Sequence, residues 1–242
     1  SVWLLGVVAF CGNVGILAFG AFAGVVADHV HRRRALRVTQ SLMLLQALLL
    51  AGLTWSGHIA VWHLIVLALW LGVVSAFDVP LRQSLWVHLV DDRSDLPNAI
   101  ALNSFMVNAA RVVGPALAGL LLALVSEAVC FMLNALSFIA VIVAISRMRW
   151  THEPAPMPWG GGFWSKWVEG YRFVSGFAPA RAMLLLVAVL SWTISPYSSL
   201  MPVYAKDIHG GGPQTLGFLL AAAGAGALSS TLYLAGRETI RG

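Results

Sequence analysis

The sequence predicts an all-helical integral membrane protein that crosses the bilayer several times. Hydrophobic residues make up 59% of the chain, charged residues make up only 10%, and the mean hydropathy is +0.82, unlike a water-soluble domain. Seven runs of mostly apolar residues are long enough to cross a hydrocarbon core of about 30 Å as helices. None of these runs shows the sustained apolar and polar alternation of a membrane β-barrel, so strands are not expected.

The predicted spans follow one another along most of the chain. In order, they cover residues 2–27, 35–54, 60–80, 99–124, 128–145, 182–205 and 215–235.

The longest break between spans runs from Arg147 to Arg181 and has two parts. Residues 151–162 are rich in Pro and Gly and are typical of a linker. Residues 163–177 carry aromatic and apolar side chains at helical spacing, with charged side chains on another face. This second part is therefore predicted to be an amphipathic helix lying on the inner membrane surface.

The distribution of positive charge predicts the orientation, because Lys and Arg concentrate in cytoplasmic loops. With the Ser1 end outside, thirteen of the fifteen Lys and Arg residues lie on inner segments, Lys206 lies in an outer loop and Arg111 lies within a span. The net charge of +5 is therefore attributed to membrane topology. Anionic lipid headgroups are the expected partner, and no nucleic acid is expected.

Enzyme chemistry finds little support in the sequence. Cys11 and Cys130 lie inside predicted spans without a second Cys or a His at metal-ligand spacing, which favours small packing residues. The sequence contains no HExxH motif, no paired carboxylates within a span and no nucleophile elbow. We therefore expect no catalytic residues, no metal site and no cofactor.

A weak internal repeat indicates how the helices are arranged. A shift of 211 residues aligns Leu5-Gly6 with Leu216-Gly217, Gly15 with Gly226 and Leu17 with Leu228. Both matched helices run from outside to inside and are six crossings apart, as expected for a parallel repeat of six helices. On this interpretation the chain begins at the second helix of a longer fold, with one helix before Ser1 and four after Gly242.

The segment GVVADHVHRRR, residues 24–34, places a Gly, an Asp four positions later and a basic pair in one short loop. It resembles the signature of the major facilitator superfamily between helices two and three, with Gly24, Asp28, Arg32 and Arg33 in the matching positions. His29 stands where Arg or Lys is usual. Four further segments are similar to the bacterial exporter branch typified by the enterobactin exporter: FDVPLRQSLWVHLV, DLPNAIALNSFMVNAARVVGPALAGLL, CFMLNALSFIAVIVAISRMR and MPVYAKDIHGGGPQTLGFLLAAAGAGAL.

This resemblance implies a fold of two helical bundles, of which the chain holds seven membrane helices, numbers two to eight. Residues 1–146 would form most of the N-terminal bundle. Residues 147–180 would form the cytoplasmic linker with its interfacial helix, and residues 181–242 would start the C-terminal bundle.

The charged loop has two interpretations. As a conformational latch, Gly24 lets two helices approach closely, while Asp28 pairs with Arg82 or caps a facing helix N-terminus. The loop arginines, Arg32 and Arg33 among them, would hold anionic headgroups. As a plain topological anchor, the loop needs nothing beyond its arginines. The Gly and Asp spacing favours the latch.

Arg111 is a basic residue deep within a predicted span, about 18 Å along the helix from Ala99. Ser104 and Asn108 precede it on the same helical face, with Asn103 close beside. A charge at this depth has to face the protein interior or water. The stripe either binds an anionic or polar group of a substrate or lets Arg111 cross-link neighbouring helices.

The segment GPALAG, residues 114–119, resembles the helix-five signature of facilitator antiporters, with Ala118 in place of a usual Gly. Gly114, Pro115 and Gly119 are expected to give a bendable helix with close neighbours. Such a helix can also bend without any antiport.

The resemblance makes residues 182–205 the seventh helix, which lines the central cavity in this fold. Its candidate substrate contacts are Trp192, Ser195, Tyr197 and Ser199. The alternative is that Pro196 and Pro202 distort the helix and nearby Ser side chains satisfy the freed backbone groups.

Taken with the resemblance, the sequence predicts a secondary active transporter in the bacterial inner membrane. It would export a small amphiphilic molecule, such as a siderophore, a drug or a metabolite, by alternating access and proton antiport. No acid lies deep in the spans, so proton coupling would use residues of helices beyond this chain or Asp78 near the inner end of its span. The alternative function is a membrane scaffold or sensor that has lost transport.

Overall fold

A computed structural model describes residues 2–89, 95–148 and 163–235, which are helical almost throughout and contain no strand. The helices are α1 (Val2–His29), α2 (Arg32–Trp55), α3 (Val61–Leu89), α4 (Leu96–Leu124), α5 (Glu127–Arg147), α6 (Phe163–Gly176), α7 (Ala178–Val203) and α8 (Pro213–Ala235). A short π-helical segment, Tyr204–Ile208, continues α7. The predicted all-helical class is confirmed.

Five of the described helices are long and apolar enough to cross a membrane, and they match the first five predicted spans. They comprise Trp3–His29, Arg32–Trp55, Val61–Ser84, Asn98–Leu124 and Glu127–Arg147. Helices α7 and α8, of 26 and 23 residues, occupy the positions of the last two predicted spans. The count of seven spans remains a prediction.

The segment predicted to be amphipathic is helical as α6. Its location on the membrane surface remains a prediction, and the linker 151–162 lies outside the described residues.

The chain forms two compact units. One contains Ser1–Leu89 and Phe131–Ser199, and the other contains Val90–Cys130 and Leu200–Gly242. Helices α1, α2 and α3 therefore belong to the first unit, while α4 and α8 belong to the second. The predicted division into 1–146, 147–180 and 181–242 remains a prediction.

In the first unit, α3 packs against both α1 and α2. Glycines bring α1 and α3 close, because a Cβ atom at Gly15 would lie 2.5 Å from the backbone nitrogen of Val73. A Cβ atom at Gly72 would likewise clash with the backbone oxygen of Gly12. The two backbones therefore touch directly, as small residues allow in membrane helices.

In the second unit, α4 packs against α8, again through glycines. A Cβ atom at Gly119 would lie 3.1 Å from the Cα atom of Gly217, and one at Gly224 would lie 2.7 Å from the backbone oxygen of Arg111. Glycines therefore let α4 and α8 approach closely as well.

Candidate functional site

The charged loop between α1 and α2 consists of only Val30 and His31. The residue before it, His29, is buried, and its Nδ1 atom lies 2.7 Å from the backbone oxygen of Val25. Next to the loop, Ala27, Leu36, Leu81 and Ile145 form a buried apolar cluster that joins α1, α2, α3 and α5. The loop is thus fixed to the first unit by packing as well as by its short length.

The structure places the predicted latch residues around this loop in different environments. Asp28 is exposed, and Arg32 and Arg33 are half-buried. Arg33 donates a hydrogen bond to the backbone oxygen of Ser146 on α5. The Nε and Nη1 atoms of Arg32 are shielded from solvent and have no hydrogen-bond acceptor within the described residues.

Two expectations for the latch differ from the structure. No described neighbour lies within 4 Å of a Cβ atom built at Gly24, so the close helix approach occurs at Gly15 and Gly72 instead. The ion pair of Arg82 is with Asp78, not with Asp28. Residues four apart on one helix lie side by side, which makes Asp78 the nearer carboxylate.

Asp78 is the centre of a buried polar network between α2 and α3. Its side chain is 1% exposed. The Thr39 hydroxyl and the Gln40 Nε2 atom both donate to its Oδ1 atom, at 2.8 Å each, and Arg82 pairs with Oδ2. Thr39 and Gln40 are themselves buried. A buried charge is costly unless it is paired and hydrogen-bonded, and this set of donors meets both needs.

The sequence pointed to Asp78 but not to its partners on α2. The available signal was a Thr-Gln pair in a mostly apolar span, at a depth from the loop similar to that of Asp78 in the next span. Polar residues at one depth in neighbouring membrane helices often hydrogen-bond to each other.

The predicted stripe on α4 is helical, and its polar side chains bond to their own helix. The Ser104 hydroxyl donates to the backbone oxygen of Ile100, and the Asn108 amide donates to that of Ser104, both at 2.9 Å. Asn103 is half-buried and Arg111 is exposed. Within the described residues Arg111 has no ion pair, so both predicted roles of this side chain remain predictions.

The predicted bend in helix five falls within α4, which continues through Pro115. Gly119 is buried against α8, and the backbone oxygen of Pro115 lies 2.7 Å from a Cβ atom built at Gly217. No described neighbour approaches Gly114. The close contact is therefore at one end of the motif, and the bend remains a prediction.

The predicted substrate contacts on α7 lie outside the described side chains. They are Trp192, Ser195, Tyr197 and Ser199. Among the described residues, no group of three His, Cys, Asp or Glu side chains can hold a metal ion.

Comparison with known proteins identifies a family and a related transporter for this chain. Residues 1–240 match the model of a family described as transmembrane secretion effectors. The chain is 29% identical over 236 residues to the staphyloferrin A transporter of Staphylococcus aureus (strain NCTC 8325 / PS 47), an alignment that covers 95% of this chain and 57% of that protein. The chain thus spans little more than half the length of this relative. No solved structure matches it significantly.

Proposed function

Because the chain belongs to the transmembrane secretion effector family, a branch of the major facilitator superfamily of transporters, we propose that the whole protein exports a small amphiphilic molecule. A siderophore is the favoured class, since one relative is a staphyloferrin A transporter, and a drug or metabolite is the alternative. Export crosses the bacterial inner membrane by alternating access in exchange for protons. The Ser1 end faces outside and residues 147–180 face the cytoplasm.

The buried carboxylate of Asp78 is the observation that carries the proton coupling. Ionisable residues inside membrane helices are costly to keep and usually serve ion or proton pathways. The donors around Asp78 come from two helices, because Thr39 and Gln40 lie on α2 while Arg82 lies on α3. Any movement of α2 relative to α3 therefore changes the environment of this carboxylate.

Arg82 gives this network a second state. Its side chain is 57% exposed, whereas its partner is fully buried, so the guanidinium itself can be hydrated by water when it leaves Asp78. Asp78 then keeps fewer donors and becomes a buried, unpaired carboxylate, which is costly unless another partner replaces the guanidinium. In the proposed proton cycle, the guanidinium of Arg82 and a proton therefore alternate at the Oδ2 atom of Asp78.

The apolar cluster connects this exchange to the charged loop. Leu36 lies one turn before Thr39 on α2, and Leu81 lies one turn after Asp78 on α3; both belong to the cluster that also contains Ala27 and Ile145. Moving the loop shifts both sides of the polar network together. This supports a latch whose release is coupled to protonation.

The substrate path in this proposal uses the polar faces of α4 and α7. Ser104 and Asn108 already bond to their own backbone, so the exposed guanidinium of Arg111 is the group left to meet an anionic substrate. The remaining members of the path are Asn103, Trp192, Ser195, Tyr197 and Ser199.

The test is export from efflux-deficient bacterial cells that express the full-length protein. Retention of staphyloferrin A and of a panel of dyes and drugs is measured with and without a protonophore. We expect lower retention than in empty cells, loss of the difference with the protonophore, and the same loss in Asp78→Asn and Arg111→Ala. The matched control is Asp207→Asn, which removes an exposed acid of the π-helical segment and should export normally.

A second measurement separates coupling from damage. In proteoliposomes, Asp78→Asn should still exchange substrate down its own gradient, although a pH gradient no longer drives uptake. Protonophore-sensitive export by Asp78→Asn would show that another group carries the proton. If no compound is retained less while the protein is abundant in the membrane, the scaffold or sensor function replaces export.

A further inference from the structure

Two apolar grooves run side by side along α2, and one of them is lined in part by Thr39 of the Asp78 network. Groove A lies between α1, α2 and α3 and has a volume of about 630 Å³; groove B lies along the other side of α2 and has a volume of about 540 Å³. Both grooves are lined by Arg34, Val38 and Leu42. These three residues are spaced four apart, so they form one ridge along the helix that separates the grooves.

The wall of groove A is mostly apolar and is formed by three packed helices, whereas groove B is lined by α2 alone. Leu42 on the ridge accepts a hydrogen bond at 3.3 Å through its backbone oxygen from the Trp70 indole of α3, which holds α2 against α3. Phe77, in groove A, packs edge to face against Phe22 of α1, with ring centroids 6.1 Å apart. Groove A is therefore a surface of packed helices.

The length of the grooves matches one leaflet of a bilayer. Groove B extends over the twelve residues of α2 from Arg34 to Leu45, or about 16 Å along the helix. Half of a bilayer hydrocarbon core is about 15 Å thick. A chain that starts at Arg34 and follows the groove ends near the bilayer midplane.

The mouth of the grooves is positively charged. Arg34 and His31 are exposed, Arg37 is half-buried, and no acidic residue lines either groove. Arginine forms charge-assisted hydrogen bonds with phosphate, often through two N–H groups at once. The occupant that fits has an anionic phosphate at this end and apolar chains beyond it.

We infer that the two grooves form a specific site for one phospholipid with two acyl chains and an anionic headgroup. The phosphate lies against Arg34 and Arg37, and one acyl chain lies on each side of the ridge at Val38 and Leu42. The proposal assigns the general attraction between loop arginines and anionic headgroups to one lipid at one defined position. It does not depend on whether the protein transports anything.

The test is native mass spectrometry of the full-length protein in detergent, titrated with phosphatidylglycerol or with phosphatidylcholine of the same acyl chains. We expect phosphatidylglycerol to bind more tightly, with one lipid molecule retained on dilution after the others are lost. The double variant Arg34→Gln/Arg37→Gln should weaken that binding about twenty-fivefold, since each arginine contributes about fivefold. The control Arg147→Gln/Arg172→Gln removes the same charge from two exposed sites and should change binding less than twofold.

A third variant tests the grooves themselves. Val38 is 58% exposed on the ridge, so Val38→Trp should fold normally while its indole obstructs both acyl chains. We expect this variant to lose the tight phosphatidylglycerol, although its charge is unchanged. Equal binding of the two lipids, equal effects of the two arginine pairs, or normal binding by Val38→Trp would each overturn the proposal.

Discussion

The contact between α1 and α3 makes a quantitative prediction for Gly15→Ala. The new methyl group would lie 2.5 Å from the backbone nitrogen of Val73, whereas ordinary contacts begin near 3.4 Å, so the helices have to separate by about 0.9 Å. The obstacle is backbone, which cannot rotate away as a side chain can. Forcing extra volume into a packed contact costs about 1–3 kcal/mol.

The matched control is Gly20→Ala on the same helix, where no described atom lies within 4 Å of the added methyl group. Both variants gain the same helix propensity from Gly to Ala, roughly 0.5–1 kcal/mol. The difference between them therefore isolates the clash. At roughly 2–4 °C per kcal/mol, Gly15→Ala should melt several degrees below Gly20→Ala.

The assay is thermal unfolding of the full-length protein in detergent, followed with a thiol-reactive fluorogenic dye. Cys11 lies on α1, one turn before Gly15, and is only partly exposed, so separation of α1 from α3 should increase its labelling. A melting temperature for Gly15→Ala equal to or above that of Gly20→Ala would refute the close contact.

Two further substitutions test the other contacts by the same melting assay. Gln40→Leu removes one donor from Asp78 and should destabilise the protein by about 1–2 kcal/mol. The cost should be smaller when Asp78→Asn is already present. Equal costs in both backgrounds would argue against the hydrogen bond between Gln40 and Asp78. Gly119→Val should destabilise the protein through its clash with Gly217, whereas Gly114→Val, in open space on the same helix, should cost only what Val costs in a helix. Similar melting temperatures for these two variants would contradict the packing of α4 on α8.

Hydropathy predicted the first five helices because a span of apolar residues is a local property of the chain. The ends were less predictable. Pro80 was expected to end the third span, yet α3 continues through it to Leu89, as neighbouring helices allow in membrane proteins. Helix α2 begins at Arg32, so the arginines lie in its first turns, and this places Arg34 in line with Val38.

Contacts between helices were the part that the sequence could not predict. Gly15 and Gly24 lie on the same helix, each among apolar neighbours in the sequence, yet of the two only Gly15 touches another helix. Asp78 was visible as a rare acid, but which residue of α2 faces it depends on how each helix is rotated. Hydropathy does not predict how each helix is rotated about its own axis.

The two-residue connection between α1 and α2 restricts how these helices can move. Two residues reach at most about 7 Å, so the linked ends of α1 and α2 stay together while their far ends can swing apart. Sliding one helix past the other by a full turn, about 5.4 Å, would use up nearly all of that reach. The pair therefore acts as a hinged hairpin that pivots without changing register. An inserted segment of a few flexible residues would release the hinge without touching either helix.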